Sequence, residues 1–225
     1  MPQRSQIVLE PRKSPVQARS AASVDAILEA TIQVLLRVGK ERLTTTKVAL
    51  RAGVSVGTLY QYYPNKSALL QAALRRHLDE VAKAIDLVCK EQKGRTLRQM
   101  ATALITAFLE AKMRDAKTSV ALYSVGSDVD GARIAQQMGA RSNKAIARML
   151  ATASDPLIPG PLIPDPQLVA SMLQATMFGV SRRMLESNDP EKEFAALHRE
   201  LIFVACAYLD ACSARPPVRG PAFSD

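Results

Sequence analysis

Residues 45–66 read TTKVALRAGVSVGTLYQYYPNK. Two short helical stretches lie here, one opening near Thr45 and one running from about Ser55 to Tyr62. Gly53 falls between them, and Pro64-Asn65 breaks the chain after the second. A helix-turn-helix packs two short helices at a steep angle, so its requirements fall at fixed places. The crossing needs a small side chain, which Ala49 supplies. The sharp turn needs a residue that tolerates positive φ, and Gly53 supplies that. Val48, Ala52, Val54 and Leu59 occupy the positions where the small core between the helices must be apolar. Counted from Thr45, alanine falls fifth, glycine ninth and leucine fifteenth. Three fixed positions together with the apolar set and the flanking breaks carry far more weight than any one of them.

Outward from this segment the pattern stays helical. Val24, Ile27, Leu28, Thr31, Val34, Leu35 and Val38 share one face of a helix over about 23–38, with Ser23 expected as N-cap and Gly39 as its stop. From Lys66 the apolar positions Leu69, Leu70, Ala73, Leu74, Leu78, Val81, Ile85 and Val88 predict a long helix to about Cys89. Further helices are expected over about 97–114 and 132–151, with a short apolar piece at Val120–Val125 and a loop from Gly126 to Gly131. Residues 154–166, SDPLIPGPLIPDP, hold five prolines and read as an extended connection. Two more helices are expected from Pro166 to Ser187 and from Glu191 to Ala214. The expectation is an all-α chain: a mobile basic arm at 1–19, a three-helix helix-turn-helix domain at 20–66, a larger helical domain at 67–214 and a disordered tail at 215–225.

Composition agrees. The 225 residues are 48% hydrophobic and 23% charged, which excludes wholesale disorder, and the absence of Trp leaves a core of Leu, Ile, Val, Ala and eight Met. The net charge is +9, and residues 1–66 carry +6 of it, an excess suited to an anionic partner. The longest apolar run, Leu201–Leu209, is too short for a membrane span, and the first twenty residues lack a signal-peptide core. Cys89, Cys206 and Cys212 are odd in number and without CxxC spacing, as befits a reducing compartment. A cytoplasmic protein without membrane contact is expected.

The segment LTTTKVALRAGVSVGTLYQYYPNKSALL, with the preceding VDAILEATIQVLLRVG, resembles the TetR family of ligand-responsive transcriptional repressors. The resemblance covers about residues 20–75. Its most specific part is G-V-S-x-G-T-L-Y-x-Y-Y-x-N-K; Tyr63 stands where family members often carry Phe. The resemblance implies that the second short helix enters the major groove of double-stranded DNA, where base edges are exposed. Thr45 and Thr46 would offer hydroxyls and N–H groups to phosphate. Val56, Gly57 and Thr58 would face the groove, Gly57 by allowing close approach. Tyr60 would donate to phosphate, and Gln61 would read adenine through its amide. Tyr62 stands between a backbone contact and a packed ring, Tyr63 is assigned to the core, and Lys66 is a further backbone contact. Arg51 reads as a solvated charge.

The family pairs through two C-terminal helices. Leu197, Leu201, Val204 and Tyr208 step at the spacing of a packing seam, and Met172, Thr176 and Gly179 lie on a small-residue face of the preceding helix. These seven residues are the expected homodimer interface, and two-fold symmetry would require a palindromic operator. Phe108, Met113, Tyr123, Met138 and Met149 are candidates for lining a pocket for an unidentified small-molecule effector, expected to be apolar or amphipathic. His77 and His198 lie far apart inside helix patterns, and no Ser/His/Asp set, phosphate-binding glycine loop or zinc spacing occurs. Asp128-Val-Asp130-Gly131 lacks the remaining ligands of a calcium loop. No enzyme activity, cofactor or metal is expected. Two alternatives stand beside the ligand-released repressor: a DNA-binding regulator without an inducer, and a helical small-molecule-binding protein.

Overall fold

The apolar periodicities resolve into helices throughout a computed structural model that describes residues 18–126, 129–155, 157, 165–187 and 189–213. Among the described residues there are nine helices: α1 (Ala18–Arg42), α2 (Thr45–Ala52), α3 (Val56–Tyr62), α4 (Lys66–Glu91), α5 (Leu97–Met113), α6 (Ala116–Val125), α7 (Gly131–Leu150), α8 (Pro166–Leu185) and α9 (Pro190–Ser213). The expected arm falls almost wholly outside the described residues; so do the tail, Asp128 and most of the proline-rich connection.

Two helix starts differ from the sequence reading. Helix α1 begins at Ala18, so Ser23 lies within it instead of capping it. Exposed Ala21 and Ala22 extend the helix without marking an apolar face, which is why periodicity starts it late. Helix α2 opens at Thr45 as expected, and Thr44 caps it: its backbone is extended and its hydroxyl accepts the Lys47 N–H at 3.3 Å. Helix α6 begins four residues before the apolar stretch at Val120, because Asp115 caps it and buried Thr118 and Ser119 fill its first turns. Gly39 does end the regular part of α1: at φ 74°, ψ 168° it leaves the helical region, and a last turn to Arg42 follows.

The described chain forms two compact units. The first runs through Ala82 and takes in Ala111–Gly139. Its core joins Ile27, Leu28, Val34 and Leu35 of α1 to Val48 and Ala49 of α2, Leu59 of α3 and Leu69, Leu70, Ala73 and Leu74 of α4. Leu122, Val125, Val129 and Ile134 complete it. Thr31 is fully buried at its centre, and its hydroxyl is satisfied by the Ile27 carbonyl at 2.7 Å.

The second unit comprises Lys83–Glu110 and the described chain from Ala140 onward. Met100, Leu104, Ile105, Phe108 and Leu109 of α5 are buried in it, as are Leu173 and Met177 of α8 and Leu201, Ala205 and Leu209 of α9. Phe108 and Phe178 pack with ring centroids 5.5 Å apart. Helices α8 and α9 pack on each other. The three cysteines are buried and unpaired, and burial pushes the Cys89 thiol up to about 12, so it stays protonated and packs as an apolar group.

Candidate nucleic-acid interface

The turn between α2 and α3 is built from backbone hydrogen bonds. Gly53 takes up the left-handed conformation (φ 68°, ψ 28°). Its N–H donates to the Leu50 carbonyl at 3.3 Å, and the Val54 N–H reaches back to Ala49 at 3.0 Å. This pair of bonds closes the end of α2 as a Schellman motif. Ser55 then caps α3, accepting the Thr58 N–H at 2.9 Å. The inner faces of both helices are closed by Val48, Ala49 and Leu59, all essentially inaccessible. Two helices of eight and seven residues could not hold such a crossing alone; the surrounding α1 and α4 side chains supply the rest of the core.

What remains outside is mostly polar, with Leu50 the exposed apolar exception. Thr46 is exposed in the first turn of α2, where the N–H groups of Thr45 and Thr46 have no intrahelical acceptor. The Thr45 and Tyr60 hydroxyls lie 3.0 Å apart, tying the start of α2 to α3. One of the two donates to the other, so one hydroxyl proton of the pair is left to offer outward. Tyr60 is 40% exposed and Gln61 is exposed beside it.

Gly57 is exposed, and its φ lies outside the left-handed region. A Cβ placed there would meet only Ser55 Oγ, at an ordinary 3.7 Å. Nothing within the chain therefore demands glycine at this position.

The other sequence candidates are more inward. Val56 and Tyr62 are half-buried and pack against the core. Thr58 is half-buried, and its hydroxyl lies 2.8 Å from Ser55 Oγ. The Lys66 ammonium donates to the Lys40 carbonyl, holding the start of α4 to the end of α1. Tyr63 is buried, and desolvation pushes its hydroxyl up to about 12. Arg51, read as solvated, donates to Gln33 Oε1 at 2.6 Å. The sequence reading did not single out Lys47, whose ammonium donates to the Arg42 carbonyl at 2.8 Å, or Leu50, which is 83% exposed. Leu50 follows Thr46 by one turn, and that i, i+4 spacing was the available signal.

Comparison with known proteins agrees with this geometry. Residues 27–73 match the family described as bacterial regulatory proteins, tetR family, and residues 96–209 match the tetracyclin repressor-like C-terminal domain. The chain belongs to the TetR family. The HTH-type transcriptional repressor KstR of Rhodococcus jostii is 31% identical over 132 residues, 58% of this chain and 60% of that protein. The match thus spans about 60% of that relative's length. A TetR-family regulator from Mesorhizobium loti superposes with a TM-score of 0.69 at 20% identity, covering 87% of this chain and 98% of its own. SmeT, the repressor of a Stenotrophomonas maltophilia multidrug efflux pump, gives 0.63 at 23% identity, with 88% and 94% covered. These two likenesses speak to the fold. Membership of the family makes the chain a transcription regulator and not an enzyme.

In this TetR-family chain the C-terminal candidates fall into two groups. Met172, Thr176, Leu201, Val204 and Tyr208 line a cavity of about 150 Å³ between α8 and α9, together with Ile105 of α5. Gly179 is exposed, with open space where a Cβ would stand, and Leu197 is half-buried. Phe203, absent from the sequence candidates, is 68% exposed on α9. The five pocket candidates lie elsewhere. Phe108 and Met149 are buried in the second unit; Met113 and Met138 are half-buried in the first, and Tyr123 is 46% exposed there. His198, in the second unit, bonds Thr106 Oγ1 at 2.9 Å and stacks on Phe194. No helix among the described residues is long and apolar enough to cross a membrane.

Proposed function

We propose that the chain is a DNA-binding repressor that acts as a homodimer on a palindromic operator and is released by a small-molecule effector. The observation that carries the reading is the exposed Gly57–Tyr60–Gln61 face of α3, backed by the Thr45–Tyr60 hydroxyl pair and flanked by Thr46. In this reading α3 enters the major groove. Gln61 reads a base edge, the Thr45, Thr46 and Tyr60 groups hold phosphate, and Gly57 lets the backbone close on the groove. Lys66 acts as a positioning residue that fixes α4 against α1, and Val56 and Tyr62 support α3 from behind.

Pairing through α8 and α9 is supported by the apolar side chains that a single chain leaves uncovered there, namely Leu168, Met172, Phe203 and Val204. A two-fold dimer sets the separation of two reading heads and so the spacing of the half-sites. Release follows if the effector binds the non-operator state more tightly, since equal affinity for both states shifts nothing. Helix α4 starts beside the reading helices and contributes to both units, so it is the element that would carry such a change. A regulator of this kind works in the cytoplasm, where the DNA is.

Fluorescence anisotropy of the full chain on DNA upstream of its own gene, over a salt series and against scrambled duplex, tests the reading. Selective binding of two protomers per site, weakening steeply with salt, is expected. Binding indifferent to sequence, both there and in a selection from random DNA, would refute it.

A further inference from the structure

Within the second unit, α8 and α9 pack on each other and are joined by a short link between Leu185 and Pro190, so they run antiparallel as one hairpin. The side of this hairpin that the unit leaves uncovered is largely apolar. On α8 it runs through Met172, Ala175 and Gly179, and on α9 through Phe203, Val204 and Ala207, all exposed. Two charges interrupt it. Arg183 continues the α8 row one turn after Gly179, and Glu200 stands one turn before Val204 on α9. Both are exposed, and neither makes an ion pair among the described residues. Neighbouring charges are already engaged: Arg182 bonds Glu186 at 2.9 Å, and Asp210 pairs with Arg98. Glu191 and Glu193 stand in the first turn of α9, where the helix dipole favours acids; Glu200 lies too far along the helix for that.

The hairpin also fixes the levels of the two charges. Met172 and Thr176 of α8 line one cavity with Leu201, Val204 and Tyr208 of α9, so these stretches lie side by side. Continued towards the link, that register sets Glu200 about level with Gly179, and Arg183 one turn nearer the link, ~5.4 Å along the axis. A face that meets its own copy does so about a two-fold axis. An axis across the helices, through the middle of the face, would set each charge against the partner's apolar residues. An axis along the helices keeps the levels and sets α8 against the partner's α9. Each Arg183 then stands within a turn of the partner's Glu200, beside exposed Gly179, where a Cβ would meet only open space. Covering a carboxylate without a cation is costly, and Arg183 offsets that charge.

We propose that Arg183 and the partner's Glu200 form an ion pair, made twice about the two-fold axis, that fixes how two copies of this chain pair. The inference rests on the homodimer reading above and adds to it an orientation and a selectivity. The apolar rows attract any similar face. The charges reject a copy turned the wrong way, or a chain with the same sign at both places. Arginine suits the role, because its planar fork can hold a carboxylate through two parallel N–H bonds.

Fluorescence-detected sedimentation of the full chain over a dilution series tests this, with wild type, Arg183→Glu, Glu200→Arg and the double variant. Both residues are exposed, so neither reversal disturbs the core. Each single reversal sets like charges together in both copies of the pair and should raise the dimer dissociation constant about 100-fold or more. The double reversal restores opposite signs and should return the constant to within about tenfold of wild type. The two single variants mixed together satisfy both pairs, so native mass spectrometry should find the mixed dimer in preference to either homodimer. Single reversals without effect, a double variant as weak as the singles, or a mixture without preference overturns the proposal. A dimeric wild type indifferent to the reversals would leave the homodimer reading intact, whereas a monomeric wild type would refute both.

Discussion

Gly57→Ala separates a requirement of the fold from a requirement of the partner. In the free protein the added methyl meets only Ser55 Oγ, at 3.7 Å, and the backbone is not in the left-handed region. Gly57 is the second residue of α3, and alanine is the better helix former there, so the variant should fold as well as wild type or be up to about 1 kcal/mol more stable. On DNA the expectation reverses. A methyl group inserted where backbone approaches a base pair closely is overpacked, and overpacking typically costs about 1–3 kcal/mol. Operator affinity should then fall about 5- to 150-fold. Chemical denaturation of both proteins measures the first quantity, and anisotropy on one operator at fixed salt measures the second. Unchanged operator affinity would refute close approach at Gly57. A stability loss beyond about 1 kcal/mol would show instead that the fold itself requires the glycine.

Four further outcomes follow from the same geometry. Gln61→Ala should lose about 1–3 kcal/mol of discrimination at one base pair and little at the others, read by anisotropy on operators varied singly. Tyr60→Phe removes the partner of Thr45 and should weaken binding to all operator variants alike, by about 0.5–1.5 kcal/mol, without flattening sequence preference. Leu59→Ala opens a cavity at a fully buried position and should cost about 2–5 kcal/mol of stability in urea unfolding. The fourth concerns acid. His77 faces Ser119, Lys112, Asp115 and Arg76 and has its pKa lowered from 6.5 to about 4, so the unfolded chain binds its proton first. Stability from this group is complete above about pH 6.5 and is lost as pH falls towards 4, about 3 kcal/mol in all. Unfolding midpoints measured across that range should slope less in His77→Gln.

The reading head was legible because its determinants are local. Ala49, Gly53 and Leu59 act within ten residues of one another, and each meets a need of the turn or the crossing that few other side chains can meet. The cap of α2 is not legible in LTTTK, because three consecutive threonines all favour a helix start. Only the extended backbone of Thr44 tells which one serves. Inside and outside on α3 were harder to separate. Val56, Gly57 and Thr58 are adjacent on a helix of seven residues, where the period covers barely two turns. Which of them faces outward depends on the side chains of α1 and α4, far off in sequence.

The C-terminal part was legible as helices but not as a site, and Lys112 shows why. Apolar periodicity assigns a helix's buried face from its hydrophobic residues and treats a charge among them as solvent-facing. Yet Lys112 follows Ile105, Phe108 and Leu109 at intervals of seven, four and three, the spacing of their own buried stripe. A lysine in that register either reaches out along its aliphatic stem or stays in without water. At the end of α5 it does the first: the residue stays partly exposed although desolvation lowers its pKa, and it lies near a histidine whose pKa burial lowers to about 4. Met113, Tyr123 and Met138 are side chains suited to an apolar cavity, but that criterion does not decide burial: Met113 and Met138 are half-buried and Tyr123 is exposed. The better signal is the residue whose identity folding alone does not explain. By that standard Gly57 stands out: it is a glycine that the fold does not require, and it points to a molecule outside the chain.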